Sequence, residues 1–224
     1  MRDGQVTAVR VLPAAGGDAA LDACAEAVDA GGIVAVPTRR WYMLCADVTD
    51  EAACRRIFAV KGRPSVKPLA LVLPSDAAVA ARFVVSPDAG RLAERLWPGD
   101  LALLLPWREE REAGRYPWLG DGPAMVTRDP GPLGALAART RNPVATSVVS
   151  RSDGATAAQR APALSPAAVL AFAEAYNAPL DVLLDGGVCP LGVGLTVVDC
   201  TAEPVVTRAG AVHARAVEAA LLEG

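Results

Sequence analysis

Most of the information about the fold lies in two stretches, Val36-Pro37-Thr38-Arg39-Arg40-Trp41-Tyr42-Met43-Leu44 and Lys61-Gly62-Arg63-Pro64. The apolar run 33–36 leads into the first stretch and predicts a short buried strand that ends at Pro-Thr. Arginines follow this strand directly, and a lysine and an arginine follow the next predicted helix. Guanidinium, ammonium and hydroxyl groups are donors that hold phosphate and carboxylate groups. The two stretches therefore predict an anion-binding site at the edge of a sheet.

The composition is that of an ordinary globular protein. The chain has 224 residues, of which 52% are hydrophobic, and this is enough for one sizeable core. We therefore expect a single domain over residues 1–224. Lysine and arginine (22) are outnumbered by aspartate and glutamate (25), so the net charge of -3 creates no long-range field that would draw the whole molecule onto nucleic acid. Basic character is expected to be local.

The five cysteines form no Cys-x-x-Cys pair: Cys24, Cys45, Cys54, Cys189 and Cys200. Such cysteines are typical core residues of a protein in a reducing compartment, rather than disulfide partners or metal ligands. The sequence shows no hydrophobic signal core, and no window approaches the ~20 apolar residues of a membrane span. The predicted location is the cytoplasm, without a membrane partner.

Strand-like and helix-like runs alternate, which favours an α/β fold with a mixed sheet flanked by helices. The predicted strands are 6–12, 33–36, 69–73, 101–105, 124–127, 144–147, 182–184, 196–198 and 205–207. The predicted helices are 18–30, one from Thr49 or Asp50 to about residue 60, one beginning at Ser75-Asp76, 87–96, 133–139, 166–176 and 212–222. Segment 106–122, rich in charged and aromatic residues, is predicted as a solvated surface loop or hairpin, with a lid over a ligand groove as the alternative.

The common catalytic motifs are missing from the sequence. It contains no Gly-x-x-x-x-Gly-Lys-[Ser/Thr], no Gly-x-Gly-x-x-Gly after a strand and no His-Glu-x-x-His. The single histidine, His213, has no paired nucleophile, which argues against a histidine-dependent triad. What remains is a set of cations and hydroxyl groups near element ends: Thr38, Arg39, Arg40, Lys61, Arg63 and Lys67 in the first half, and Thr146, Ser147, Ser150, Arg151, Ser152 and Arg208 in the second.

Taken in order, the motifs of the chain resemble the YrdC-like (threonylcarbamoyl-AMP synthase) family over roughly residues 14–215. The matching motifs are residues 31–38, Tyr42 with Leu44, Lys61-Gly62-Arg63-Pro64 with Lys67-Pro68-Leu69, Trp97-Pro98-Gly99, Asp185-Gly186-Gly187, Thr196-Val197-Val198-Asp199 and Arg208-Ala209-Gly210-Ala211. The resemblance implies a single α/β domain whose twisted mixed sheet, flanked by helices, forms a concave, positively lined groove.

The activity that the resemblance implies is nucleotidyl transfer. Enzymes of this family combine ATP, bicarbonate and L-threonine into threonylcarbamoyl-AMP and pyrophosphate, for the threonylcarbamoyladenosine modification of tRNA. Proximity and charge neutralisation would supply most of the catalysis, so no catalytic nucleophile is assigned. Magnesium is expected to accompany ATP, and no protein ligand for a metal is assigned.

The pattern of cations and hydroxyl groups and the resemblance together give the candidate site residues. Those expected to contact phosphates and nucleotide are Lys61, Arg63, Thr146, Ser147, Ser150 and Arg208. Those expected to bind the remaining substrates are Thr38, Arg39, Arg40, Tyr42, Lys67 and Thr127.

Some positions depart from the family pattern: Arg39, Arg40, Met43, Val149 and Leu195. Met43 replaces a glycine, and Val149 or its neighbour replaces an asparagine whose amide would bind the nucleotide. Three hypotheses follow from these departures. The chain is a synthase-like enzyme with an altered acceptor, a module that binds double-stranded RNA or tRNA, or a catalytically inactive nucleotide-binding paralogue.

Overall fold

The computed structural model describes residues 8–154 and 156–222, without the side chain of Glu110. Residues 6 and 7 of the first predicted strand lie outside these ranges. The strands are β1 Arg10–Pro13, β2 Val34–Pro37, β3 Tyr42–Asp47, β4 Ala70–Val72, β5 Leu101–Leu105, β6 Ala124–Thr127, β7 Val144–Val148, β8 Val182–Asp185, β9 Thr196–Asp199 and β10 Val205–Arg208.

The helices follow the strands along the chain. They are α1 Gly17–Asp29, α2 Glu51–Lys61, α3 Asp76–Ala80, α4 Pro87–Leu96, α5 Glu110–Ala113, α6 Pro132–Ala137, α7 Ala157–Arg160, α8 Pro166–Ala175 and α9 Ala214–Leu222. Two single 3-10 turns, Ala14–Gly16 and Pro117–Leu119, complete the regular structure of the described residues. None of these helices is long and apolar enough to cross a membrane.

The strands form one sheet in the order β1-β8-β2-β3-β7-β4-β6-β5-β9-β10. Four neighbouring pairs are parallel (β1 with β8, β8 with β2, β4 with β6, β5 with β9), and the others are antiparallel. Strands β2 and β3 form a hairpin in which Pro37 lies opposite Tyr42. The predicted α/β fold with a mixed sheet flanked by helices is confirmed.

Two apolar clusters cover the two faces of the sheet, and alternate residues of β3 belong to each. Tyr42 and Leu44 belong to the larger cluster, which also contains residues of α2, α4, α8 and α9. Met43 and Cys45 belong to the second cluster, which contains residues of α1 and α6. All five cysteines are buried free thiols, as predicted.

Strand β3 is the main element that sequence reasoning missed. All six of its residues are buried, because helices cover both faces of the sheet at this position. A strand buried on both faces has no polar-apolar alternation, so the pattern that marks a half-exposed strand is lost. The four-residue helices α5 and α7 were also missed. Helices α2 and α4 and strands β5 and β6 lie within a residue of the predicted bounds.

Segment 106–122 is not the solvated loop that its charges suggested. Trp107, Trp118 and Leu119 are buried in the larger cluster. The ring of Trp107 lies 4.6 Å from that of Phe83, between ring centroids, and the Trp118 indole donates to the carbonyl of Val48 at 2.9 Å. The prediction was wrong because three large apolar side chains anchor the segment, while its charged residues remain outside.

Helix α2 carries Lys61 at its last position, so the start of this helix sets the position of a candidate site residue. Asp50 caps it by accepting a hydrogen bond from the Ala53 amide at 2.8 Å. We predict that Asp50→Ala lowers the free energy of unfolding by about 1 kcal/mol, because an amide of the first turn loses its acceptor. Urea denaturation measures the change. Asp50→Asn is the control, and a loss equal to that of alanine would contradict the capping role.

Candidate functional site

The turn between β2 and β3 is held by one hydroxyl group. Thr38 Oγ1 donates to the carbonyl of Trp41 (2.8 Å) and accepts from the amides of Arg40 (3.1 Å) and Trp41 (3.2 Å). A hydroxyl group has one donor and two acceptor positions, and all three are used here. Thr38 is buried. Its hydroxyl group therefore serves the turn.

Arg40 lies in the interior, with only 1% of its side chain exposed. Its Nη1 donates to Asp100 Oδ1, and its Nη2 lies 3.6 Å from Asp129 Oδ2. The adjacent Arg39 is 64% exposed and approaches Asp100 only to 3.8 Å. The prediction of two arginines at the lip of the sheet is thus wrong for Arg40. Two carboxylates from distant parts of the sequence enclose its guanidinium group.

These ion pairs show that the sheet is strongly curled. Asp100 directly precedes β5 and Asp129 follows β6, whereas Arg40 follows β2. In the sheet, β6 is four strands away from β2. In a flat sheet with strands ~4.8 Å apart, the distance between these two strands would be about 19 Å. An arginine side chain cannot span that distance. Twist of roughly 20–25° per strand turns β6 by about 90° relative to β2 and brings the two regions together.

The segment between β8 and β9 crosses the same region. The amides of Leu191 and Gly192 donate to the carbonyls of Arg39 (3.0 Å) and Arg40 (3.2 Å). Tyr42 fixes the start of this segment, because its hydroxyl group donates to the Gly187 carbonyl at 2.9 Å and accepts from the Gly186 amide at 3.1 Å. Burial raises the pKa of Tyr42 to about 12. Tyr42 is therefore a neutral tether between β3 and the crossing segment.

Lys61 is fully buried at the end of α2. Its Nζ donates to the carbonyls of Val148 (2.5 Å) and Ser150 (2.6 Å), and its third N–H has no partner among the described residues. Burial, and then the charges of Arg63 and Arg151, lower the pKa of Lys61 to about 7. The ammonium group is thus held without a carboxylate, beside the segment that follows β7.

Gly62 lets the chain turn sharply after Lys61. Its φ of +54° is in the left-handed region, and a Cβ at this position would lie 2.0 Å from the Asp153 carboxylate. The next residue, Arg63, donates from Nε to the Lys67 carbonyl (2.8 Å) and from Nη2 to the Pro68 carbonyl (2.7 Å). The side chain of Lys67 is exposed and has no hydrogen-bond or ion-pair partner among the described residues.

We call Lys61, Arg63, Arg208 and Arg40 the cation row, because the charge of each following member lowers the pKa of the one before it. Burial and then Arg63 lower the pKa of Lys61, burial and then Arg208 lower that of Arg63, and partial burial and then Arg40 lower that of Arg208. Within the described residues, no carboxylate pairs with Lys61, Arg63 or Arg208. The first three members of the row are thus uncompensated, and only Arg40 is neutralised. Repulsion between such groups is relieved by a bound anion.

The four predicted hydroxyl side chains of β6, β7 and the following segment are buried but differ in their hydrogen bonding. Thr146 Oγ1 donates to the Leu44 carbonyl, and Thr127 Oγ1 donates to the Leu101 carbonyl, both at 2.9 Å. The hydroxyl groups of Ser147 and Ser150 make no hydrogen bond within the described residues. Ser147 and Ser150 thus retain donors and acceptors close to the residues that bind the Lys61 ammonium group.

Three of the positions that depart from the family pattern lie in apolar clusters. Met43 packs in the second cluster and Val149 in the larger one, and Leu195 packs with Ala102 and Val197. Arg208 donates from Nε to the Leu195 carbonyl at 3.2 Å. Val149, one of the two candidate positions for the asparagine of the family, is thus a core residue.

Sequence reasoning missed the partners of the buried arginine, Asp100 and Asp129. Burial raises the pKa of Asp129, and hydrogen bonding to the Gly131 amide and the charge of Arg40 oppose this effect. Each aspartate stands beside a predicted strand end, which is the one signal that could have singled it out. The sequence gives no sign that both would meet the same arginine.

The described residues contain no group of three or more histidine, cysteine, aspartate or glutamate side chains that could hold a metal ion. Asp100 and Asp129 already pair with Arg40. Magnesium usually keeps several waters and binds substrate phosphates with few protein ligands. The site therefore fits a magnesium ion that enters with a nucleotide, not one held in a protein cage.

The two neighbouring arginines give a matched test of the buried ion pairs. We predict that Arg40→Met lowers the free energy of unfolding by about 3–5 kcal/mol, because it leaves two carboxylates buried without their cation. Arg39→Met should change it by less than about 1 kcal/mol, since that side chain is mostly exposed. Urea denaturation of both variants checks this. Equal losses of unfolding free energy in the two variants would contradict the assignment of Arg40 to the buried ion pairs.

Lys61 predicts a pH dependence of stability. Its pKa is about 7 in the folded protein and near 10.5 in an unfolded chain, so the unfolded state binds the extra proton between these values. The free energy of unfolding should therefore rise from pH 7 towards pH 10 because of this group. The difference between wild type and Lys61→Met, measured by denaturation at pH 7, 8 and 9, isolates the contribution. A difference independent of pH would contradict the lowered pKa.

The chain is similar to known proteins over most of its length. It is 33% identical over 195 residues to the threonylcarbamoyl-AMP synthase of Pyrococcus abyssi, a match that covers 84% of this chain and 53% of that protein. It is 29% identical over 191 residues to a putative threonylcarbamoyl-AMP synthase of Mycobacterium tuberculosis, a match that covers 83% of this chain and 82% of that protein. The chain spans about half the length of several relatives it matches.

Solved structures share the fold. The structure of P. abyssi Sua5 complexed with L-threonine superposes with a TM-score of 0.81 at 27% identity, covering 97% of this chain and 62% of that one. E. coli YciO superposes with a TM-score of 0.72 at 22% identity, and the match covers 88% of this chain and 92% of that one. The profile of the Sua5_yciO_yrdC family, described as "Telomere recombination", matches residues 26–210. The chain therefore belongs to the Sua5/YciO/YrdC family.

Proposed function

We propose that the protein is a threonylcarbamoyl-AMP synthase-like nucleotidyltransferase. It would join ATP, bicarbonate and an amino compound into a carbamoyl-adenylate and release pyrophosphate, in the service of tRNA threonylcarbamoyladenosine modification. The observation that carries this proposal is the row of uncompensated cations, Lys61, Arg63 and Arg208. Relatives named threonylcarbamoyl-AMP synthase support it.

The row of cations suits a triphosphate. Arg63 and Arg208 offer planar guanidinium groups, and Lys61 offers its remaining N–H. The unused hydroxyl groups of Ser147 and Ser150 would add neutral hydrogen bonds beside Lys61. Binding there would neutralise charge on the phosphates and hold the reactants in contact, so that no protein nucleophile is needed. Magnesium would enter with the phosphates and offset their remaining charge.

A role as an RNA-binding module finds less support in the charge distribution. Several highly exposed arginines are already paired with carboxylates: Arg55 with Glu51, Arg111 with Glu109, Arg115 with Glu112 and Arg141 with Asp29. Paired surface charges offer little to a phosphate backbone, whose binding depends on net positive charge. We therefore favour the enzyme, acting in the cytoplasm, and keep RNA binding as a separate outcome of the tests.

The primary test measures nucleotide binding and pyrophosphate release. Calorimetry with ATP and magnesium should detect binding, and ATP with bicarbonate and a panel of amino compounds should yield pyrophosphate with at least one of them. Arg63→Met and Arg208→Met should each weaken ATP binding by roughly tenfold or more, since a hydrogen bond to a charged group contributes about 1.5–3 kcal/mol.

Arg141→Met is the matched control, because Arg141 is 81% exposed and pairs with Asp29. It should leave ATP affinity unchanged. Absence of ATP binding by the wild-type protein would refute the proposal. ATP binding without pyrophosphate release from any mixture would favour an inactive nucleotide-binding paralogue, and salt-dependent binding of duplex RNA without ATP binding would favour the RNA module.

A further inference from the structure

A second cavity, of about 560 Å³, lies between segment 106–122 and the residues that follow β9. Its volume is in the range of ligand-binding pockets, about 300–1,000 Å³. None of its lining residues belongs to the candidate site. We call it the β5–β6 cavity, and its walls include Pro106, Trp107, Ala113, Asp121, Pro123 and Thr201.

The β5–β6 cavity lies at one end of strands β5 and β6, and the partners of Arg40 lie at the other end. Pro106 follows β5 and Pro123 precedes β6, and these two strands are antiparallel. Asp100 directly precedes β5 and Asp129 follows β6. The cavity is therefore distinct from the region that holds Arg40.

Trp107 has a fixed position in the wall of this cavity. Its backbone forms an antiparallel bridge with Phe83, and the amide of the following Arg108 donates to the Arg82 carbonyl at 2.8 Å. Its ring packs against Phe83 and Tyr116, with ring centroids 4.6 Å and 6.2 Å apart. The indole ring is thus a rigid part of the wall.

The indole N–H of Trp107 is buried and makes no hydrogen bond within the described residues. A buried indole N–H normally has a partner. Trp97, which is equally buried, donates to the Leu101 carbonyl at 2.9 Å, and Trp118 donates to the Val48 carbonyl at 2.9 Å. Trp107 is thus the exception among these three tryptophans, and its donor lacks an acceptor such as a carbonyl group.

The other groups of the β5–β6 cavity define the chemistry of a ligand. Asp121 is exposed and has no ion-pair partner within the described residues. The Thr201 hydroxyl group already donates to Asp199 at 2.7 Å. Pro106 and Pro123 add rigid apolar surface. A complementary ligand carries a carbonyl group, a positive charge and compact apolar groups.

We propose that the β5–β6 cavity binds a proline-rich peptide segment of a partner protein, with a basic residue among the prolines. Such a segment is extended before it binds, so it loses little conformational entropy, and it exposes its carbonyl groups. One carbonyl accepts from the Trp107 indole, the basic side chain pairs with Asp121, and proline rings pack on the apolar wall. This docking function goes beyond the proposed reaction and uses none of its residues.

The test is calorimetry of the full chain with the acetylated peptide Pro-Pro-Arg-Pro-Pro, without nucleotide. The wild type should bind this peptide more tightly than versions with leucine in place of arginine or alanine in place of every proline. Trp107→Phe should weaken binding roughly three- to tenfold, because it removes the donor and keeps an aromatic ring. Asp121→Asn should weaken binding and reduce its dependence on salt.

Trp97→Phe is the matched control and should leave peptide affinity unchanged, because Trp97 is not part of the cavity wall. In urea denaturation Trp107→Phe should lower the free energy of unfolding less than Trp97→Phe, since only Trp97 loses a hydrogen bond. No peptide binding by the wild type would overturn the proposal. So would unchanged affinity in both Trp107→Phe and Asp121→Asn, or binding that the alanine peptide matches.

Discussion

The pairing of Arg40 with Asp100 and Asp129 is the interaction on which the arrangement of the site depends. A guanidinium group that is almost wholly buried is tolerated only with compensating charge and hydrogen bonds. Since the arginine follows β2 and its partners lie beside β5 and β6, the pairing requires a curled sheet. Arg208 of β10 donates to the Leu195 carbonyl, in the same segment whose Gly192 amide donates to the Arg40 carbonyl, and its charge lowers the pKa of Arg63.

This geometry divides the polar residues of the candidate site into two groups. Lys61, Arg63 and Arg208 have no carboxylate partner among the described residues, and burial is the main cause of the lowered pKa of Lys61. At Arg40 the charge is balanced and the side chains are bonded to one another. The cations without carboxylate partners are therefore the candidates for binding an anion, whereas Arg40 already has its partners within the protein.

Much of the fold could be predicted from local signals. Helix α2 begins at a capping aspartate and ends at Gly62, whose left-handed conformation stops it. The hidden features depend on tertiary packing. Strand β3 is buried on both faces, so it lacks the alternation of polar and apolar residues that marks a half-exposed strand. Aromatic residues of segment 106–122 point into the core. Arg40 was interpreted as a surface group because its partner Asp100 is 60 residues away in sequence. The phosphate candidates remain predictions that await a bound nucleotide.

The most direct measurement is a crystal structure of the wild-type protein grown with a non-hydrolysable ATP analogue, magnesium and a high concentration of threonine. We expect phosphates in contact with Arg63 and Arg208, and Arg40 still between Asp100 and Asp129. Phosphates bound away from Arg63 and Arg208, or an Arg40 side chain turned away from both aspartates, would contradict this expectation.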